Sequence, residues 1–377
     1  MSERVLAHIE DIKEINSIAG ADRISHASVL GWRVIVQKDK HVVNEKCVYV
    51  EVDSLMPQIE YFKFLDIRKY RIRTLKMKGV LSQGLIIPLA DIPVIVSQLK
   101  QLGPDKKPIE MKSMWESGSD VTELLGIKKW LTPEERSEIS DANNSNKKKH
   151  NFFVKFMSRF SWYRKMFKMK SKSFPEWISK TDEERIQNVP WILDDEAEDW
   201  YVSEKLEGQS GTYWYKKKGF FGGEFGVCSR TVRKFEHDMS NWSKIARQYE
   251  IKKNLKFISK VYGDIAIQGE VIGEGIQGNI YGTKGLDFYV FNVYNIKEKK
   301  YYPLDKAQTI TREIGLKFVP VLASSMRLPK TVELCLEDAD GSSILNNTLR
   351  EGKVYRKFDM SKSFKAVSNK YLLTKKD

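Results

Sequence analysis

Residues 174–377 contain a series of short strand-like runs whose ends carry glycines and polar residues. Each run is rich in β-branched and aromatic residues and is bounded by turn-forming residues, which is typical of β-strands. The segments 241–261 and 304–315 lie between these runs and are predicted to be helical. This half of the chain is therefore predicted to be an α+β domain. The predicted strands are DWYVSEKL, GTYWYKK, FGVCSRT, IAIQGEVIG, FYVFNVYN, KVYRKF and SFKAVS.

Residues 1–98 have a different pattern, with short predicted strands and little sign of helix. The strands ISHASVL, WRVIVQK, EKCVYVEVD and QGLIIPL are separated by turn signals, and this spacing favours a small closed β-barrel. The stretch RKYRIRTLKMKG, residues 68–79, carries six cations and no acid. The residues alone leave two interpretations of it open, a surface that faces a phosphate backbone and a solvated strand face.

The residues between these halves are more polar. Residues 119–139 are predicted to be helical, with Thr132 as N-cap and Pro133 in the first turn. Residues 142–175 contain no acidic residue, and basic residues alternate there with aromatic ones. That segment is predicted to be a helix that either lies on an anionic partner or packs its aromatic side inward. The predicted domains are 1–110, a linker at 111–173, and 174–377.

Composition narrows the class of protein. With 377 residues, two domains are expected. Lys and Arg number 64 against 50 Asp and Glu, a net charge of +14, which suits an anionic partner such as nucleic acid or reflects a lysine-rich composition. The three cysteines and five histidines are too scattered for a zinc site or a disulfide framework. No signal peptide and no run of membrane-spanning length are seen, so an intracellular protein is expected.

One lysine in the second half has an unusual position. Lys205 stands in EKLEGQSGTYWY, residues 204–215, where one predicted strand ends and a glycine turn begins at Gly208. A solvated surface lysine is the ordinary interpretation of such a residue. Five more short polar runs follow at strand ends, and six such runs in one domain-sized segment are hard to explain by chance. In chain order the runs are KLEG, SRT, QGEVIGEG, FYVFN, EGKVYR and SFKAVSNK.

This series resembles motifs I, Ia, III, IIIa, IV and V of the covalent nucleotidyltransferases, which include polynucleotide ligases and capping enzymes. DNA-sealing ligases and capping enzymes usually carry an OB barrel after motif V, but only about a dozen residues follow Lys365 here, and the barrel-like segment comes first. The stretches IAGADRISHASVLGWRVIV, RIRTLKMKGVLSQGLIIPL and FPEWISKTDEERIQN are similar to ATP-dependent RNA ligases with an N-terminal OB domain, the fifth RNA ligase family. The resemblance covers nearly the whole chain except residues 131–173.

The resemblance implies an OB-like barrel followed by a nucleotidyltransferase domain of antiparallel sheets with flanking helices. It also implies roles for particular residues. Lys205 would be the nucleophile that receives AMP from ATP, and Gly208 would let the backbone approach the nucleotide. Lys365 would contact the α-phosphate, and Glu351 would help to hold Mg²⁺ or Mn²⁺ through water.

Four further residues are implied to bind ATP. Glu270 would accept a ribose hydroxyl, although Glu274 is close by, and Arg230 would bind ribose or a strand end. Phe291 would stack on adenine. Glu204 or Glu207 would select adenine or orient the nucleophile. Outside this resemblance the same side chains are ordinary ones: strand-end ion pairs, a turn glutamate, a solvated arginine and a core aromatic.

One position departs from the motifs. Members of this superfamily often have a second lysine two positions after the motif V lysine, and Val367 stands there. The missing cation is either absent or supplied from elsewhere, and Lys362 and Lys370 are the candidates from the sequence.

The implied activity is the joining of 3′-OH and 5′-phosphate ends of RNA, at nicks in a duplex, through a lysyl-AMP and an adenylylated 5′-phosphate, in RNA repair. The partner would be RNA or an RNA–DNA hybrid, and a monomer is expected. The alternatives are an inactive RNA-binding protein and a DNA-sealing or capping-type enzyme. The predicted nucleic-acid contacts of the barrel are Arg68, Arg71, Arg73, Lys76 and Lys78.

Overall fold

The computed structural model describes residues 5–101, 116–131, 172–219 and 222–374. The chain divides into two compact units, Met1–Leu131 with Leu372–Asp377, and Thr132–Tyr371. The first unit thus includes residues 116–131, which the sequence places in the linker. Among the helices of the described ranges, none combines the length and the apolar character that crossing a bilayer requires.

The first unit is a set of short antiparallel strands. Strands β3 and β4 alternate buried and less buried residues, as expected when one face of a strand points into a barrel. The sheets have the orders β1-β5-β9, β2-β3-β4, β7-β8 and β6-β10. The four predicted strands correspond to β3, β4, β5 and β9. The strands are β1 Ala7–Asp11, β2 Glu14–Ser17, β3 Ile24–Val29, β4 Trp32–Gln37, β5 Lys46–Val50, β6 Ser54–Leu55, β7 Thr74–Met77, β8 Val80–Gln83, β9 Leu85–Pro88 and β10 Lys128–Lys129. The helices are α1 Ile92–Gln101 and the 3₁₀ segments Glu60–Arg68 and Leu89–Asp91.

The helix predicted over 119–139 is wrong for its described part. Residues 119–131 form turns and the strand β10, which pairs with β6. Val121, Leu125 and Ile127 are buried in the core of the first unit. Gly126 has a φ of 66°, so the backbone turns away from a helical path there. Burial of these apolar residues therefore outweighs the local helical pattern. Residues 132–171, with Thr132, Pro133 and most of the predicted basic helix, lie outside the described residues.

A buried ionic cluster lies in β1 and just after β5. His8 and Glu10 are each 8% exposed and Glu51 is 3% exposed. His8 Nδ1 lies 2.8 Å from Glu10 Oε1, and His8 Nε2 lies 3.9 Å from Glu51 Oε1. Burial alone would lower the pKa of His8, but the two carboxylates together raise it to about 9. His8 is therefore a buried cation at neutral pH.

This cluster predicts how stability depends on pH. A folded-state pKa of about 9, above the ordinary 6.5, contributes stability that is fully present below 6.5 and is lost as the pH rises through 9. The contribution is on the order of 3 kcal/mol from the size of the shift. We expect the free energy of unfolding of wild type to exceed that of His8→Gln by more at about pH 6 than at about pH 10. Denaturant titrations at both pH values measure this difference, and a difference independent of pH would contradict the role of His8.

The second unit contains two sheets. The larger sheet has the order β11-β15-β14-β13-β16-β17-β18, and β19 pairs with β17 in parallel. The smaller sheet has the antiparallel order β20-β12-β21-β22. The seven predicted strands are all present. The strands are β11 Lys172–Ser173, β12 Trp200–Lys205, β13 Gln209–Lys218, β14 Gly222–Cys228, β15 Val232–Lys234, β16 Ile265–Gly273, β17 Leu286–Asn295, β18 Lys300–Tyr301, β19 Lys317–Phe318, β20 Val321–Met326, β21 Gly352–Lys357 and β22 Ser363–Val367.

Helices cover one face of the larger sheet. The segment predicted as one helix over 241–261 is two, because Glu250 has a φ of 47° and separates them. Ile265 and Ile267 of β16 pack in the core that these helices share with the sheet. Strand alternation directs Gln268 and Glu270 to the opposite face. The helices are α2 Asn241–Gln248, α3 Ile251–Tyr262, α4 Leu304–Glu313, α5 Val332–Ala339 and α6 Asn369–Thr374, with 3₁₀ segments Ile186–Asn188 and Pro190–Asp194.

Candidate active site

A cavity of about 360 Å³ lies in the second unit, with walls from both of its sheets. It is lined by seven of the residues that the sequence singled out. The first and the last of them are more than 150 residues apart in the chain, so the fold brings them together. The seven residues are Glu204, Lys205, Gly208, Arg230, Glu270, Phe291 and Lys365. Glu274 is exposed and does not line the cavity, which favours Glu270 as the motif III carboxylate.

Lys205 is the last residue of β12, an inner strand of the smaller sheet. Its Nζ lies 2.7 Å from Oε1 of Glu351, and the two side chains are 25% and 18% exposed. Glu351 immediately precedes β21, whose first residue, Gly352, pairs with Lys205. Strand pairing therefore holds the amine beside a carboxylate, and Lys205 is not a solvated surface lysine.

Gly208 allows two strands to approach each other at the turn after β12. A Cβ at this position would collide with the carbonyl oxygen of Val271 and would lie 2.8 Å from Cγ of Glu270. A larger residue would therefore displace β16 and the carboxylate that it carries. The glycine keeps Lys205 and Glu270 on the same cavity.

The cavity perturbs two ionisable groups in opposite directions. Burial, with the nearby charges of Lys205 and Arg185, lowers the pKa of Lys365 to about 8. Burial also raises the pKa of Glu270 to about 8, although Lys205 opposes this effect. Perturbed groups of both signs in one cleft are typical of a catalytic or binding site.

Phe291 faces the cavity because of an irregularity in β17. Gln268 pairs with Asn292 and Gly269 pairs with Val290, so Phe291 is the extra residue of a β-bulge. A bulge re-aims a side chain, and here it places an apolar ring among charged residues. Phe288 and Val290 point into the helix-covered core instead.

Comparisons with known proteins agree with this geometry. An OB-fold domain model matches residues 6–89, and an RNA ligase model matches residues 198–371. A glutamate-to-alanine mutant of the Naegleria gruberi RNA ligase, solved with ATP and Mn, is 31% identical, with 99% of this chain and 100% of that one covered and a TM-score of 0.74. A second glutamate-to-alanine mutant of that ligase, solved with AMP and Mn, is 31% identical, with 98% of each chain covered and a TM-score of 0.73. The same ligase with PPi is also 31% identical, with 98% of each chain covered and a TM-score of 0.71.

The chain belongs to the ATP-dependent RNA ligases with an N-terminal OB domain. The OB fold of the first unit and the α+β fold of the second are thereby confirmed. No curated protein gave a significant match.

Val367, Lys362 and Lys370 are not among the residues that line the cavity. Val367 is buried, and the two candidate lysines are engaged elsewhere: Lys362 Nζ lies 3.5 Å from Asp195 and Lys370 Nζ lies 3.4 Å from Asp340. The backbone of Arg185 forms a parallel β-bridge with that of Lys365, and the charge of Arg185 contributes to the lowered pKa of Lys365.

Two pairings of an arginine with an acid at the site were not predicted from the sequence. Arg356 lines the cavity and is 3% exposed; its guanidinium lies 3.2 Å from Glu183 Oε1 and donates to Ser203 Oγ at 3.0 Å. Arg230 lies 2.8 Å from Asp182 Oδ1, and both side chains are half exposed. The acids of both pairings lie in the segment TDEERIQN, which also contains Arg185. The high density of charged residues in this segment was the available signal in the sequence.

Glu204 and Glu207 differ in their surroundings. Glu204 is 1% exposed, and its Oε2 accepts the N–H of Ile344 at 3.0 Å. Its Oε1 is buried with no hydrogen-bond partner in the described residues. The backbone N–H of Glu207 donates to Tyr281 Oη at 2.8 Å. Glu204 therefore offers the cavity an unused acceptor.

The predicted nucleic-acid contacts of the OB unit lie around the hairpin β7–β8. Arg68, Arg73, Lys76 and Lys78 are exposed. Arg71 differs, because it lies 2.6 Å from Asp53 Oδ1 and 3.4 Å from the ring centroid of Trp130. Four of the five cations are thus presented to solvent, and Arg71 helps to hold the local structure.

Proposed function

We propose that this ligase seals RNA breaks through a covalent lysyl-AMP on Lys205. The observation that carries the proposal is that Lys205 and Lys365 line one cavity while Lys205 Nζ lies 2.7 Å from Oε1 of Glu351. Lys205 Nζ attacks the α-phosphorus of ATP and pyrophosphate leaves. The AMP then passes to a 5′-phosphate, and a 3′-OH displaces it to form the phosphodiester.

The other cavity residues support the first step. Lys365 and Arg230 neutralise charge on the transferring phosphoryl group. Phe291 stacks on adenine, and the unused Oε1 of Glu204 accepts its amino group. Glu270, whose pKa burial raises to about 8, carries a proton at neutral pH, so it both donates to and accepts from a ribose hydroxyl.

A divalent metal fits beside Glu351. Its Oε2 is buried and has no hydrogen-bond partner in the described residues, so an acceptor is available. No group of three His, Cys, Asp or Glu side chains in the described ranges is arranged around a metal, which suits a Mg²⁺ or Mn²⁺ that keeps most of its water. When bound, such an ion neutralises phosphate charge.

We propose that the hairpin of the OB unit binds the phosphate backbone of RNA. Arg68, Arg73, Lys76 and Lys78 are exposed cations, and Arg71 positions the segment. Replacing Arg73, Lys76 and Lys78 by Ala is expected to weaken RNA binding and to lower the salt slope of log K by about 0.7–0.9 per lost contact. Titrations of labelled RNA at several salt concentrations measure this slope. A Lys38→Ala/Lys40→Ala variant, which also removes exposed lysines of this unit, should keep the wild-type slope, and equal slopes in all three proteins would refute the assignment.

We further propose that the substrate is a nick in a duplex and that the role is RNA repair. A continuous strand holds both ends in register, so the 3′-OH stands next to the adenylylated phosphate without a search in solution. A nicked RNA duplex is expected to be sealed at least about tenfold faster than the same two strands without a complement. Sealing assays with RNA or DNA on each side of the nick measure this preference. Equal rates with and without the complement would exclude it while leaving the lysyl-AMP chemistry intact.

A further inference from the structure

The cavity carries a second aromatic ring that the ATP chemistry leaves unused. Trp242, the second residue of α2, lines the same cavity as Lys205 and Phe291. Phe291 comes from β17 of the sheet, whereas Trp242 comes from the helical layer. ATP brings one base, and Phe291 is assigned to it. The ring of Trp242 is therefore available to stack on a second planar ligand.

Trp242 is held firmly in place. Its indole N–H donates to the carbonyl oxygen of Ser210 at 2.9 Å, and Tyr213 Oη donates to its backbone carbonyl at 3.0 Å. Gly211 lies against the indole, since a Cβ there would come within 3.0 Å of Trp242 Cδ1. The one polar atom of the indole is therefore satisfied, and the ring offers only its π surface to a ligand.

One cation lies against this ring. Lys234 Nζ lies 5.1 Å from the indole centroid, within the range of a cation–π contact. Arg230, four residues earlier, lines the same cavity on the turn between β14 and β15. An aromatic ring with an ammonium group beside it, and a guanidinium group on the same cavity, has the chemistry that binds a base together with its phosphate in single-stranded nucleic acids.

We propose that Trp242, with Lys234 beside it and Arg230 on the same cavity, is the subsite for the base of the RNA nucleotide that borders the break. The inference rests on the proposed ligase function and names the residues that receive the strand end. Either of two nucleotides could supply this base, the one that carries the 5′-phosphate or the one that carries the 3′-OH. Both have the same chemistry, and the experiment separates them.

The test combines Trp242→Ala with substrates that lack one base. Nicked RNA duplexes are prepared intact, with an abasic nucleotide at the 5′-phosphate, or with one at the 3′-OH. Enzyme already converted to its lysyl-AMP form is mixed with each under single-turnover conditions at subsaturating RNA. We expect Trp242→Ala to react about tenfold more slowly than wild type with the intact nick. With the abasic nucleotide at the relevant end, wild type should slow to the rate of the variant, and the variant should not slow further.

The controls separate this subsite from a structural role. Trp242→Phe should recover most of the rate, and Trp191→Ala, which removes an exposed tryptophan outside the cavity, should behave as wild type. Lysyl-AMP formation with ATP alone should be the same in Trp242→Ala as in wild type. If wild type forms no lysyl-AMP, the proposed function is rejected. If wild type forms it and Trp242→Ala does not, the subsite is rejected. A defect of the same size on all three duplexes would also overturn the proposal.

Discussion

Incubation of the purified protein with ATP and a divalent metal will add the mass of one AMP to wild type and nothing to Lys205→Ala. Lys205 Nζ is placed by β12 beside Glu351 and on the cavity, and no other lysine in the described part of the chain combines these two positions. Removal of the attacking nitrogen abolishes the covalent intermediate, whereas the loss of a supporting residue only slows its formation. Intact-mass spectrometry measures the adduct directly.

A matched lysine variant makes this result specific. Lys362→Ala removes a half-exposed lysine that pairs with Asp195, and it should form the adduct as wild type does. A peptide map of the wild-type adduct should place AMP on Lys205. An adduct that survives in Lys205→Ala, or that maps to another lysine, would reject the assigned nucleophile. The absence of an adduct in wild type with either ATP or GTP would favour the RNA-binding alternative.

Lys365→Met is expected to slow lysyl-AMP formation by about 10²–10³-fold, the size typical of losing one group that stabilises transition-state charge. Methionine keeps much of the length of the lysine and removes its charge. Lys365 lies on β22 within the cavity, and the burial that lowers its pKa also strengthens its interaction with a phosphoryl group. Single-turnover kinetics with saturating ATP measure the rate.

Lys370→Met is the control for this prediction, because Lys370 lies just beyond the same strand but pairs with Asp340 outside the cavity. Its rate should stay within about twofold of wild type, as for a surface ion pair. If Lys370→Met is slower than Lys365→Met, the charge comes from the candidate named by the sequence, and the cavity arrangement described above is wrong. Lysyl-AMP formation is also expected to be slower in Arg185→Ala than in wild type, because the charge of Arg185 acts on Lys365.

Local patterns were sufficient for most strands, and the motif residues were predicted from the family resemblance. Alternating residue types and turn residues predicted β12, β13, β16, β17, β21 and β22. The motifs lie within these strands or at their ends, where the number of residues from a turn determines the position of a side chain along the strand. The described part of the helix predicted over 119–139 is wrong, because Val121, Leu125 and Ile127 are buried in a core that local propensity cannot represent. The single helix over 241–261 failed because of one left-handed residue, Glu250.

The sequence by itself predicted the ligase family and, through that resemblance, Lys205 as the nucleophile, because the motifs are short-range features at strand ends. Only the tertiary structure decided which charges surround them. Val367 suggested a missing cation, and the structure pairs both candidate lysines with acids away from the cavity, whereas strand β22 forms a β-bridge with the segment that carries Arg185. Trp242 lies in a segment that was predicted only as helix, and the contact of its indole with Ser210 of β13 helps to place its ring on the cavity. Electrostatic and stacking contacts depend on distance in space, and sequence spacing does not report that distance.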